Sequence, residues 1–482
     1  MITQSRPQQS PQAWYGMFAQ AAPEFSTTQL PILSGAIPKD LKGSLYRNGP
    51  GRLERGGQRV GHWFDGDGAV LAVHFGGTQA SGVYRYVQTA GYQAEEQADQ
   101  FLMGGYGMLT AGSLWRRLRQ GATKNAANTS VLALPDKLLT LWEGGHPHAL
   151  DLASLETQGL DDLGFLAPDQ SFSAHPKRDP LSGEISNFGV SYGKQGQLHI
   201  YRCSAEGKVK RQTQIPLKGL PMIHDFVMAG PYLIFCISPV SMNPLPLLAQ
   251  MKSYSDCLQW KPQQGTQILV IDRESLEVVS QGEADPWYQW HFGNGYIDDQ
   301  GHVIIDFVRY ADFSTNQFLK EVVSGHPQTQ ADGQLWRLHL DPRTGKVLET
   351  YALIDRTGEF PIVDPHQVGL AHSHTYLSTR PASDPTTELF REIVCFDHAS
   401  HRLSSIQVGE QAYCSEPIYA PEPGQPRQGW IISVVYQAAS HTSEVWILAA
   451  DHLEDGPICR LGLPSVVPMG FHGTWQPSPY PS

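Results

Sequence analysis

Residues 335–353, LWRLHLDPRTGKVLETYAL, read as a hairpin: a strand ends at Asp341, PRTG turns the chain, and KVLETYAL returns. The same phrase recurs along the sequence. GAVLAVHFGG, DKLLTLWEGG, GYIDDQGHVIIDFV, REIVCFDHAS, QGWIISVVYQ and SEVWILAADHLEDG are short apolar runs bounded by Gly, Asp or Asn. Such runs are too short for membrane spans and are punctuated too often for long helices. The 47 glycines and 35 prolines among 482 residues supply the turns. Strand, turn and strand, repeated this often, predict an all-β chain of the propeller type. No segment repeats cleanly, and no tryptophan–aspartate blade signature is present. Spread over seven blades, 482 residues give about 69 each, above the ~40–50 of simple propeller repeats. The surplus belongs to loops, which on one face of a propeller form a lid or binding dome.

The formal charge of −12 and pI near 5.9 lack the basic footprint of a nucleic-acid binder. The cysteines, at 203, 236, 257, 395, 414 and 459, form no C-x-x-C pair. They predict reduced thiols in a cytoplasmic protein, not a disulfide scaffold or a cysteine zinc site. The N-terminal MITQSRPQQSPQAWYGMFAQ has no apolar signal region. No run reaches the ~18–20 apolar residues of a span. The chain is therefore expected to be cytoplasmic, either free or peripheral to a membrane. Residues 1–30 predict a flexible lead-in, followed by one catalytic propeller domain over 31–482. Two insertions stand apart. Residues 101–129 mix Phe101, Leu102, Met103, Leu114 and Trp115 with Arg116, Arg117, Arg119 and Lys124. They read either as a basic amphipathic segment dipping into a bilayer or as a packed helix with its arginines in water. Residues 242–251, MNPLPLLAQM, form a second apolar patch.

The stretch LPMIHDFVM, residues 220–228, reads as a buried strand with His224 and Asp225 in its middle. A titratable pair in apolar surroundings is costly unless it is satisfied. Three other histidines share this setting beside apolar residues and near a turn: His175 in SFSAHPKRD, His291 in YQWHFGNGY and His472 in MGFHGTW. No two lie four apart, so no single helix supplies a pair. Converging inner strands of a propeller can bring four such residues to one axis. Read singly, each is more simply a hydrogen-bonded core or surface histidine. Glu143, Glu359 and Glu416 lie among apolar, Gly or Pro residues, where a free carboxylate is expensive. Metal-bound histidines pass their second ring N–H to such groups, although solvent-exposed loop glutamates are the simpler reading.

LYRNGPG, HWFDGDGAV, NTSVLALPDKLLTLWEGGHPH, SAHPK, IHDF, GEFPIVDP, SEPIYAPEP and FHGTW follow one another in this order. In that combination the chain resembles the carotenoid cleavage oxygenases, from about residue 30 to the end. Within that family it looks most like the apocarotenoid oxygenases of cyanobacteria. The resemblance implies a seven-bladed β-propeller with a loop-and-helix dome over the top face. It implies Fe(II) on the axis, held by His175, His224, His291 and His472. By the family pattern Glu143 supports His224, Glu359 supports His291 and Glu416 supports His472, while His175 has no glutamate. Thr129 matches a threonine whose methyl crowds an open metal position and guides where O2 binds. Asp225 is expected to bond locally. Around His291 the family often has Phe before the histidine and Ala four residues after it. Trp290 and Gly295 stand there instead, which bears on substrate choice.

The implied reaction is O2-dependent cleavage of one C=C bond of an apocarotenoid, giving aldehydes such as retinal. An apolar tunnel must place that bond beside the metal. Trp142, Trp290 and Phe292 are the aromatic candidates for its wall. Stilbene-cleaving members carry a lysine where Trp142 stands, which disfavours a phenolic stilbene. Off-centre cleavage of full-length carotenoids is the alternative within the class. Isomerohydrolase chemistry and a non-catalytic propeller binding module rank below it. A hydrophobic polyene and O2 are the expected partners, with peripheral membrane contact at 101–119 and 242–251. No protein partner is implied.

Overall fold

The computed structural model describes residues 11–120, 123–425 and 428–478. β-branched and leucine-rich runs become strands buried on both faces, as in GWIISVVYQ over Gly429–Gln437, because such side chains pack on a pleated surface. All strand pairs are antiparallel. They build sheets of five, four, four, four, seven and six strands, with two additional two-stranded ribbons. The hairpin expected around PRTG is present as Gln334–Asp341 paired with Lys346–Ile362. The second strand is long enough to pair again with His374–Thr379 on its far side, which makes this sheet the seven-stranded one.

The apolar core lies between consecutive sheets. Val70 and Val83 of the first sheet meet Val131 and Leu138 of the second. Leu139 and Leu141 of the second meet Ile185 and Tyr201 of the third. Phe188 and Leu198 of the third meet Leu233 and Phe235 of the fourth, and Ile234 and Val270 of the fourth meet Ile305 and Phe307 of the seven-stranded sheet. The far half of that sheet packs through Ile393 and Cys395 on Ile431 and Trp446 of the six-stranded one. The series returns to its start, because Leu45, Leu71 and Val73 of the first sheet pack on Ile432, Val445 and Ile447 of the last. Chain ends reinforce that return. Lys42–Arg52 pairs with Gly473–Pro477, and Ile32–Gly35 pairs with Pro457–Gly462.

Two quoted motifs have packing reasons. A Cβ at Gly49 of RNGP would stand 2.3 Å from Gly470 Cα, and one at Gly68 of FDGDG 2.2 Å from Ala127 O. Both positions bring backbones together where no side chain fits. Asp67 of FDGDG anchors a buried ion network. It receives Arg55 Nη2 at 2.9 Å and Lys124 Nζ at 2.8 Å, and Lys124 also reaches Glu95 at 2.8 Å.

Two expectations are corrected. Residues 11–30 are not a loose lead-in. Trp14, Met17 and Phe18 are buried in an aromatic core, and Phe25–Gln29 pairs with Ala80–Tyr86; residues 1–10 lie outside the described residues. LPMIHDFVM is buried from Pro221 onward, yet only Val227–Ala229 of its tail is strand. His224 and Asp225 sit in the irregular segment that leads into it, where ring and carboxylate are not held to a sheet face. Residues 101–129 are mostly irregular, with one short helix over Leu114–Gln120; residues 121–122 lie outside the described residues. All six cysteines are free and buried. No helix among the described residues is long and apolar enough to cross a membrane.

Candidate metal centre

The four histidines come from different parts of the chain by one repeated local device. Each stands one to three residues before a strand. His175 precedes Lys177–Arg178, His224 precedes Val227–Ala229, His291 precedes Phe292–Ile297, and His472 precedes Gly473–Pro477. One ring nitrogen from each falls within 4.8 Å of all the others. The His175 and His224 Nε2 atoms are 3.0 Å apart, and those of His224 and His291 are 3.3 Å apart.

The outer ring nitrogens face carboxylates. His291 Nδ1 lies 2.6 Å from Glu359 and His472 Nδ1 lies 2.9 Å from Glu416. His224 Nδ1 pairs with Glu143 Oε1. An ionised carboxylate only accepts, so Nδ1–H donates and Nε2 is left as a lone pair. Lone pairs that converge in a buried space repel unless a cation stands between them. These residues therefore fit a metal ion held by His175, His224, His291 and His472. Burial, then the neighbouring rings, hold His175 and His472 well below the usual histidine range, in the neutral form a metal requires. Burial acts against a charge on His224 too, but Glu143 outweighs it and raises that ring. Burial pushes Glu416 up to about 7 against the pull of Arg47 and the Gly473 N–H.

Two of the three supporting carboxylates are themselves held. Tyr310 Oη donates to Glu359 at 2.8 Å. Gly473 N donates to Glu416 at 2.8 Å, and Arg47 Nη1 stands 3.5 Å from the same carboxylate. Replacing Glu359 by Gln keeps the shape and removes the charge. We expect metal affinity to fall by roughly 10–100-fold, read by competition with a chelator; unchanged affinity would contradict the assigned role.

Two cavities meet at this cluster, and the chain order sorts them. Residues just before His224, His291 and His472 line one cavity of about 550 Å³: Met222 and Ile223, Trp290, and Phe471. Residues on the C-terminal side line the other, of about 580 Å³, for example Asp225, Phe292 and Thr474. The first is an aromatic tunnel walled by Trp63, Phe64, Trp142, Trp290, Phe390 and Phe471. The second runs along the short strands that follow the ligands.

Trp142 and Trp290 both line the first cavity. Trp290 stands edge-on to His224, with ring centres 4.8 Å apart, and its Nε1 donates to Thr315. Thr129 also borders the tunnel, and its carbonyl accepts from His472 N at 3.2 Å. Phe292 is a correction: it follows His291 in the strand and packs with Val227, Ala229 and Phe307, on the other side of the cluster from the tunnel. Asp225 bonds locally as expected, accepting from Phe226 N at 2.8 Å, but it also has distant partners. Lys177 Nζ reaches it at 2.8 Å and Phe292 N donates to it at 2.9 Å.

Sequence reasoning missed Phe360, whose ring stacks on His291 at 5.4 Å. Its backbone has φ of 59°, a strained setting for a bulky residue of the kind found at functional sites. Its position next to Glu359 was the available signal. Tyr310 and Arg47 were missed as well. A second group, Asp306 with His372 and His398, also has metal-like spacing. Arg337 grips Asp306 through Nε and Nη2 at 2.7 and 2.8 Å, so a guanidinium already supplies the positive charge there.

A family model, the retinal pigment epithelial membrane protein, matches residues 18–477. The chain belongs to this family. It is 33% identical over 477 residues to the apocarotenoid-15,15′-oxygenase of Synechocystis sp., covering 97% of this chain and 96% of the relative. It is 27% identical to resveratrol cleavage oxygenase 1 of Aspergillus fumigatus, covering 92% and 91%. A solved structure of the cobalt-substituted Synechocystis apocarotenoid oxygenase superposes with a TM-score of 0.89 at 32% identity, over 97% of this chain and 99% of that one.

Proposed function

We propose that this member of the family is an Fe(II)-dependent oxygenase that cleaves one C=C bond of an apocarotenoid with O2, giving two carbonyl fragments, one of them retinal-like. The observation that carries this reading is an aromatic tunnel of about 550 Å³ that ends on His224, His291 and His472, whose outer nitrogens are tied to carboxylates, with His175 completing the cluster behind them. Affinity order alone would favour copper or zinc at nitrogen donors, so iron rests on the family likeness. When bound, the metal supplies O2 activation. The chain supplies placement. Trp142, Trp290 and Phe64 hold the polyene against the centre, Thr129 restricts the space beside His472, and the aromatic walls exclude water. The return of the sheet series to its start supports a seven-bladed propeller, with the seven-stranded sheet counted as two blades that share Lys346–Ile362. On that reading residues 31–482 form one catalytic unit, with 101–129 and 242–251 in its dome.

Trp142 favours a polyene over a phenolic stilbene, because no cation stands at that position to grip a phenolate. Iron-loaded protein is expected to turn over an apocarotenal at least tenfold faster than resveratrol. The reverse preference would overturn the substrate assignment.

Exposed apolar residues of the two insertions support the membrane reading. Leu247 lines the tunnel, while Leu245 and Leu248 of the same short helix are about 70% exposed or more. Trp115 is 77% exposed and stands among Arg116, Arg117 and Arg119. Apolar tips beside arginines suit an anionic bilayer surface from which an apolar substrate is drawn. The pair Trp115→Glu and Leu245→Glu is expected to abolish co-flotation with anionic vesicles. Undiminished flotation would remove the membrane reading and leave the tunnel assignment untouched.

A further inference from the structure

Three of the four histidines pair with a glutamate, and His175 does not. The carboxylate nearest to its free nitrogen is Asp225, with Oδ1 4.0 Å from His175 Nδ1. Asp225 is buried, its side chain 1% exposed, and all of its partners belong to ligand-bearing segments. Lys177, two residues after His175, reaches Oδ1 at 2.8 Å. Phe226 N donates to the same oxygen at 2.8 Å. Phe292 N, directly after His291, donates to Oδ2 at 2.9 Å. Asp225 itself follows His224. One carboxylate therefore binds the backbone beside His224 and His291 and the Lys177 side chain near His175, from the cavity side opposite the tunnel.

We propose that Asp225 is a positioning residue of the metal centre. It is a fourth carboxylate that ties the His224 and His291 segments together through Phe226 N and Phe292 N and adds negative charge beside the cation, a charge that Lys177 partly offsets. The proposal rests on the four-histidine reading above. A buried carboxylate with three donors is held rigidly, and outer partners of this kind tune both ligand orientation and metal affinity. Direct substrate contact is not required, because Asp225 lies outside the tunnel.

The test uses the full chain loaded with Co(II) alone. Asp225→Asn keeps the shape and removes the charge. We expect Co(II) release to a chelator to speed up by roughly 10–100-fold, with a shifted visible Co(II) spectrum. Lys177→Met removes the opposing cation and leaves the carboxylate, so release should be no faster than in the unaltered protein. A purely structural ion pair predicts that both variants loosen the metal alike, and that result would overturn the proposal. Unchanged release in Asp225→Asn would overturn it as well. If Asp225→Asn does not fold, Lys177→Met carries the test alone, and faster release from it sinks the idea. Failure of the unaltered protein to bind Co(II) would instead reject the four-histidine reading.

Discussion

Alanine at His224 is expected to strip the metal and reduce polyene cleavage to background while the chain stays folded. His224 occupies the centre of the cluster, with its Nε2 3.0 and 3.3 Å from those of His175 and His291. The substitution removes one of four donors and leaves Glu143 facing a void. Three donors on an untethered side of the site hold a metal poorly. A loss of more than about a thousandfold in turnover corresponds to roughly 4 kcal/mol of lost transition-state stabilisation. Folding should suffer far less, because His224 lies in an irregular segment and makes no sheet hydrogen bonds through its side chain. Metal content, turnover and thermal melting of the metal-free proteins separate these effects. Full metal content with full turnover in the variant would refute the ligand assignment.

The largest effect on stability is expected at a different buried carboxylate. Asp67→Ala leaves Arg55 and Lys124 without their shared partner. The Arg55 side chain is fully buried and that of Lys124 is 6% exposed. Glu95 stays with Lys124 and Glu96 with Arg55, but Glu96 is half exposed and a weak substitute. Breaking a buried pair by removing one member costs about 3–5 kcal/mol. Urea denaturation of the metal-free protein should show that loss with little change in slope. A cost below about 1 kcal/mol would mean that the network is not the anchor its burial suggests. Turnover per bound metal should be unchanged, since Asp67 faces neither cavity.

Much of this was legible in sequence, for identifiable reasons. Turn residues between short apolar runs announce strands, so the hairpin at PRTG and the all-β character could be read locally. The histidines stood out because each interrupts apolar or aromatic residues where a polar ring needs a partner. The same argument singled out Glu143, Glu359 and Glu416. What could not be read is set by distance along the chain. Tyr310 supports Glu359 from just past the strand Val303–Arg309, Arg47 reaches Glu416 across the contact between the first and last sheets, and Lys177 finds Asp225 across a gap of 48 positions. Nothing local marks such pairs. Phe292 was misplaced for a finer reason. One step past His291 carries a side chain from the tunnel side of the cluster to the other, and sequence alone does not say where that boundary falls. The lead-in was misread because polar residues around Trp14, Met17 and Phe18 hid a short anchor of three buried side chains.

The central claim is that one metal at the four histidines is required for polyene cleavage. Anaerobic titration of metal-free protein with Fe(II), followed by addition of O2 and an apo-8′-carotenal, tests it most directly. The account predicts that the initial rate of loss of polyene absorbance rises linearly to one iron per chain and then stops rising. Retinal and a short dialdehyde should appear in equal amounts. Cleavage by the metal-free protein, or saturation with iron and no cleavage of any carotenoid, would contradict it.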